Sequence, residues 1–183
     1  MKEKNIREHT TEPLPKLGPG PYVELMQKTA TKSTDQKSAY IGLLSLWLGD
    51  NILDVMDLNL AQYDITESKF DLLLLLTLHE GHTQVTPSAL AERLGIRRAS
   101  VTAMLDWLEK RSWIIRESSA RDRRSVHVRI SPEGKVLVEK VLPSFWSTCA
   151  SIMDDLEPEE RSVLEKVILK LNTNIEKRLG MGR

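Results

Sequence analysis

The chain has 183 residues, 40% of them hydrophobic and 28% charged, the proportions of an ordinary soluble globular protein with room for one core and an arm. Its longest uninterrupted apolar run, Leu72–Leu76, falls far short of the about 18–20 residues of a membrane span, so no membrane partner is expected. The single cysteine, Cys149, excludes an internal disulfide framework, and the charged start Met1-Lys-Glu-Lys-Asn-Ile-Arg-Glu does not read as a secretory signal, so a reducing cytoplasm is the expected compartment.

The net charge of zero hides an asymmetry. Residues 93–135 carry 11 Lys/Arg against 5 Asp/Glu, a net +6, whereas residues 1–92 sum to −5 and residues 136–183 to −1. A basic block between acidic segments is the footprint expected of a surface that meets a polyanion.

In chain order, residues 1–34 read as an arm. Pro13, Pro15, Gly18, Pro19, Gly20 and Pro21 fall within nine residues and forbid a regular element there, with a short helical turn predicted from Tyr22 to Thr29. The arm is either disordered or draped over a partner subunit. From Asp35 to Tyr63 the proline-free sequence predicts one long helix whose apolar stripe, Tyr40, Leu43, Leu44, Trp47, Leu48, Ile52, Val55, Met56 and Leu60, is wider than one small domain needs. Asp64–Thr66 reads as a turn, with Thr66 capping a helix Glu67–Glu80 that Gly81 stops.

Thr86-Pro87-Ser88 is a helix start, with threonine as cap and proline at the first helical position. That helix ends at Gly95, and Ile96 bridges to another, Arg98–Arg111, whose inward face is Val101, Met104, Leu105 and Leu108. Two short helices joined by a glycine turn are a helix-turn-helix. The period then changes to two, in Trp113–Arg116 and again in Val126, Val128 and Ile130, with a polar tip Ser118-Ser-Ala-Arg-Asp-Arg-Arg124 between. The fold class read here is mainly α with a small β-hairpin wing. Ser131-Pro132 opens a helix predicted to reach Leu156 with a kink at Pro143, and Glu157-Pro158 opens the last, through Leu179.

The run Ser88-Ala-Leu-Ala-Glu-Arg-Leu-Gly-Ile-Arg-Arg-Ala-Ser-Val-Thr-Ala-Met-Leu-Asp-Trp-Leu-Glu-Lys-Arg111, followed by Asp122-Arg123-Arg124-Ser125 and Ile130-Ser131-Pro132-Glu133-Gly134-Lys135, resembles the MarR family of winged-helix regulators. The resemblance covers roughly residues 36–178. It implies a dimer, with 35–65 and 132–180 as helical dimerisation region and 66–131 as the winged helix-turn-helix domain. It also implies repression of transcription, released by a small, often aromatic, ligand. There are departures. Ser112 stands where the family usually has glycine, which predicts local strain or a different turn. Arg97 stands where a serine cap is common, and Ala103 where an arginine is common.

A recognition helix enters the major groove with its N-terminal residues first, which nominates Arg97, Arg98, Ser100 and Thr102, with Arg98 as the leading base contact. Thr86 and Ser88, at a helix N-terminus, are placed to meet a phosphate through backbone amides. At the wing, Arg121, Arg123 and Arg124 surround Asp122. The resemblance sends Arg123 into the minor groove and pairs Asp122 with Arg124 to stiffen the hairpin. Double-stranded DNA bearing an inverted repeat is the expected partner, because one helix and one wing cover only half a site.

The resemblance puts a ligand pocket between the dimer helices and the reading head, with Tyr40, Trp47 and Phe70 as candidate walls, although aromatics at helical spacing more often fill cores. Cys149 reads as a core cysteine rather than a thiol sensor, and His79 and His82 around Glu80 read as surface residues rather than zinc ligands. No metal and no cofactor is expected. No nucleophile–base pair or phosphate-binding glycine loop is found, so an enzyme is not expected. Two readings compete with a ligand-released repressor: a winged helix that contacts protein and has no operator, and a thiol-based redox regulator.

Overall fold

Four helix starts carry a proline in the first turn or just before it, and the helices begin where those prolines set φ in advance. A computed structural model describes residues 18–81, 85–118 and 126–180. The chain divides into two units, Met1–Asn51 and Ile52–Arg183.

The described part of the first unit holds helix α1, Gly20–Thr29, and the start of α2, Gln36–Leu60. Asp35 caps α2: its Oδ1 accepts from the Lys37 and Ser38 amides at 3.1 and 3.2 Å, and its Oδ2 accepts from the Ser38 hydroxyl at 2.6 Å. Within this unit α1 buries no residue completely. Tyr40 lines a cleft of about 530 Å³ with Val23, Met26, Gln27 and Lys37. A Cβ on Gly18 would meet the Trp47 ring at 3.9 Å.

The second unit carries the core. The end of α2 passes through a 3-10 turn, Ala61–Tyr63, into α3, Glu67–Leu78, then α4, Pro87–Leu94, and α5, Arg98–Glu109. Strands β1, Ile114–Ser118, and β2, Val126–Ile130, pair antiparallel from Ile114↔Ile130 to Ser118↔Val126. Helices α6, Pro132–Ser151, and α7, Pro158–Leu179, follow. The core is Leu60, Phe70, Leu72, Leu73 and Leu76 from the first half, packed with Val101, Leu105, Leu108, Ile114, Val128, Ile130, Val138 and Val141. The run Leu72–Leu76 is apolar around more than one face because α3 is buried on more than one side, with Leu74 and Leu75 half-buried against that cluster.

Three expectations change. Thr66 stands at the N-cap of α3, but its hydroxyl does not cap. It accepts from Lys69 Nζ at 2.9 Å, and the Glu67 amide donates instead to Asp57 Oδ1 at 2.6 Å. The helix begun by Ser131 ends at Ser151 rather than Leu156, and it runs unbroken through Pro143. Pro143 and Glu139, whose carbonyl loses its helical donor there, are both exposed, so the freed carbonyl is not sealed in the core and the helix tolerates the proline. The helical stretch Gln36–Tyr63 is long and apolar enough, by length and composition, to cross a membrane, although no uninterrupted apolar run in it is long.

Candidate nucleic-acid interface

Helices α4 and α5 are joined by a turn whose geometry follows from its residues. Gly95 sits at φ 67°, a left-handed conformation that costs a side-chain-bearing residue about 1–2 kcal/mol, and its amide closes α4 onto the Glu92 carbonyl at 3.2 Å. The Ile96 amide donates to Ala91 at 3.1 Å, and Arg97 is extended at φ −66°, ψ 141° before the chain turns into α5. Thr86 caps α4 as expected, accepting from the Ala89 amide at 3.2 Å.

Helix α5 is divided by its periodicity. Val101, Leu105 and Leu108 are fully buried, so Arg97, Arg98, Ser100 and Thr102 face solvent. As expected of a side chain that only donates, Arg97 makes no side-chain cap to α5. Arg97, Arg98 and Ser100 gather at one end of α5, where the backbone amides and the helix dipole add further positive potential. Thr102 is partly committed, since its hydroxyl donates to the Arg98 carbonyl at 3.0 Å and is left as an acceptor. Ser88 is exposed in the first turn of α4. The wing residues Arg121, Asp122, Arg123 and Arg124 lie outside the described residues, as does His82.

The base of the wing is held by contacts that periodicity does not reveal. Arg116 on β1 reaches α5, with Nη2 2.6 Å from Asp106 Oδ1 and Nε 3.4 Å from Glu109 Oε2. Across the strands Arg129 pairs with Glu117 at 2.7 Å. At the far end of α5, Arg111 lies 3.6 Å over the Trp107 ring and 2.6 Å from Asp64 Oδ2. The sequence signalled only the parts, an arginine two residues from Ile114 on a strand and Asp106 and Glu109 three residues apart on one helix face; their pairing is seen in the structure.

The candidate ligand residues are placed differently from one another. Phe70 has no exposure and packs at a 52° tilt against Phe145 with ring centroids 5.2 Å apart, so it fills the core. Tyr40 and Trp47 belong to the first unit, as described above. Cys149 is half-buried rather than in the core, and that partial burial pushes its thiol above the ordinary pKa, which disfavours the thiolate that redox sensing needs. No cluster of three or more His, Cys, Asp or Glu with metal-binding geometry occurs among the described residues.

With this geometry in place, comparison with known proteins adds kinship. Residues 65–126 match the model of the MarR family. The chain is 30% identical over 133 residues to the transcriptional repressor MprA of Escherichia coli, covering 73% of this chain and 75% of that protein. Among solved structures it is similar to MepR of S. aureus in complex with DNA, at 23% identity, a TM-score of 0.64, and coverage of 73% of this chain and 96% of that one. It is also similar to BpsR of Bordetella bronchiseptica, whose structure concerns regulation of DNA binding by 6-hydroxynicotinic acid, at 22% identity, a TM-score of 0.61, and coverage of 72% and 91%. The last two likenesses bear on fold alone.

Proposed function

The chain belongs to the MarR family of transcription regulators, and from that premise we propose that it is a homodimeric repressor that reads an inverted repeat and releases it when a small ligand binds. One observation carries the DNA reading: α5 buries Val101, Leu105 and Leu108 completely while turning Arg97, Arg98 and Ser100 outward at its N-terminal end. That end enters the major groove. Arg98 pairs with a guanine edge, Arg97 and Ser100 meet backbone or bases, and Thr86 and Ser88 steady a phosphate at the start of α4. Arg123 enters the minor groove beside it, with Asp122 and Arg124 stiffening the hairpin and Arg121 adding to its positive field. Repression follows the name of MprA, and ligand release follows the theme of BpsR.

The dimer reading rests on uncovered apolar surface. No residue of α7 is buried, and Val163, Leu169 and Leu171 are 63%, 60% and 48% exposed. On α2, Leu46 and Leu58 are 71% and 78% exposed. Side chains of this kind contribute about 1.5–3 kcal/mol each when fully covered. A second subunit is favoured over a lipid bilayer as the cover for α2. Asp50, Asp54 and Asp57 recur at i, i+4 and i+7 on that helix, and each would cost about 2.5–3.5 kcal/mol at a bilayer centre. A regulator of this kind works where DNA is, in the cytoplasm.

The test is selection of bound duplexes from a random pool, followed by titration of the selected duplex at several salt concentrations. An inverted repeat with affinity that falls steeply with salt is expected. Arg98→Ala should relax preference at one position by about 1–3 kcal/mol, and Arg123→Ala should weaken binding while the dimer persists. Failure to enrich any duplex overturns the reading.

A further inference from the structure

We propose that Arg116 is a positioning residue for DNA reading, pinning the β-hairpin to the acidic flank of the recognition helix so that helix and wing engage one duplex together. The proposal rests on the DNA-binding reading above.

Arg116 pairs with Val128 in the β1–β2 register and shares its side of the hairpin, and Val128 is only 2% exposed. An arginine there reaches over the core edge toward α5 instead of out to water, and its side chain is only 21% exposed. The guanidinium has three neighbours on α5, with Nη2 hydrogen-bonded and Nε within ion-pair distance only. Besides Asp106 at 2.6 Å and Glu109 at 3.4 Å, its Nη2 lies 3.5 Å from the Thr102 carbonyl oxygen. Thr102, Asp106 and Glu109 stand at i, i+4 and i+7, so one side chain spans two turns of α5 along one face. The Arg98 carbonyl in the first turn accepts from Thr102 on that same face. The line from the proposed base-reading turn to the root of the hairpin is therefore continuous.

Charge alone argues against this arrangement. Asp106 and Glu109 put two carboxylates on the helix that must approach a polyanion, where Asn and Gln would repel phosphates less. Their use is geometric. A planar guanidinium hydrogen-bonded to Asp106 with Glu109 in ion-pair range beside it fixes direction as well as distance, which a lysine in the same place does not. Two DNA-contacting elements held at a set spacing bind as one unit. When the tether loosens, the second contact loses effective concentration and specific affinity falls with no DNA contact removed.

The experiment compares a duplex selected by the wild-type chain with a scrambled duplex of equal length and composition, using the full-length protein. Asp106→Asn combined with Glu109→Gln makes the reading head more positive, so simple phosphate attraction predicts tighter binding to both duplexes. The pin predicts the opposite on the selected duplex: a loss of about tenfold there, with scrambled binding unchanged or tighter. Arg116→Lys, which keeps the charge, should lose several-fold on the selected duplex only, and Arg116→Met should lose more. Circular dichroism establishes that each variant is folded at the assay temperature. If Arg116→Met fails to fold, the Asp106/Glu109 pair, whose side chains are half-exposed, carries the test. Wild-type or improved affinity of that pair for the selected duplex overturns the pin, as does an equal loss on both duplexes in Arg116→Lys. A wild-type chain that selects no duplex overturns instead the DNA-binding reading.

Discussion

The Ser131 hydroxyl donates to the Ser112 carbonyl across 2.6 Å, joining residues 19 apart in sequence. The same oxygen accepts from the Gly134 amide at 2.9 Å and so caps α6. Ser112 sits at φ 61°, in the left-handed region that suits the glycine the family usually has there. Gly134 has no room for a side chain, because a Cβ there would strike the Trp113 carbonyl oxygen. The turn from α5 into the hairpin is thus strained at one residue and held from α6. Ser112→Gly should stabilise the fold by about 0.5–1 kcal/mol, the left-handed penalty relieved less the added chain entropy. Ser131→Ala should cost about 2 kcal/mol, since it removes a cap and leaves a carbonyl unpaired. Urea unfolding of the two variants checks both signs.

Contacts close in sequence were legible and contacts across the fold were not. Thr86 with Pro87 and Ser131 with Pro132 announce helix starts because capping is local. The apolar spacing of Val101, Leu105 and Leu108 gave the recognition helix its inner face, and therefore the outward set around Arg98. The strain at Ser112 was visible in a single missing glycine. Thr66 misled, because the group that caps α3 is Asp57, ten residues away. Phe70, a candidate pocket wall of a type that more often fills cores, is fully buried; periodicity marks an apolar face without saying whether its neighbours close over it. Arg116 was missed because its partners are on another element, and pairing across elements has no period to read.

Asp57→Ala tests that long-range cap. The Glu67 amide donates to Asp57 Oδ1 at 2.6 Å, while the Thr66 hydroxyl is taken by Lys69. Loss of the carboxylate should destabilise the protein by about 1 kcal/mol, and Thr66→Ala by clearly less. Denaturant midpoints for the two variants decide which residue is the cap. The larger loss in Thr66→Ala would return the role to the threonine.

Glu67 offers a pH-dependent prediction. Burial raises its pKa, with the Asp71 and Asp57 carboxylates adding to the rise and the Ser68 hydroxyl opposing it. A folded pKa above the unfolded one means the native state holds the proton more tightly. The residue's contribution to stability is therefore most favourable below the unfolded pKa and declines as pH rises through the folded one. Glu67→Gln removes the ionisation. The variant should melt higher than the wild type at pH 7, and the difference should vanish on acidification to about pH 4, near the unperturbed carboxylate range. Thermal melts at the two pH values read this directly, and a gain that persists in acid would assign the effect to something other than the charge.

The exposed face of α7 gives the assembly prediction. Val167, Leu171 and Ile175 lie at i, i+4 and i+8, are 45%, 48% and 49% exposed, and form one stripe on a helix with no buried residue. A charge placed in such a stripe stays hydrated in a lone subunit and must lose its water in a dimer, where it has no partner. Leu171→Glu should therefore leave the helical content intact and shift the protein from dimer to monomer at micromolar concentration in sedimentation. The same variant should lose most of its affinity for a two-half-site duplex, because each half then binds alone without the gain of a linked second contact. Affinity for a single half-site should change little, since Arg97, Arg98 and the wing are untouched. A Leu171→Glu variant that remains dimeric would move the subunit contact off α7.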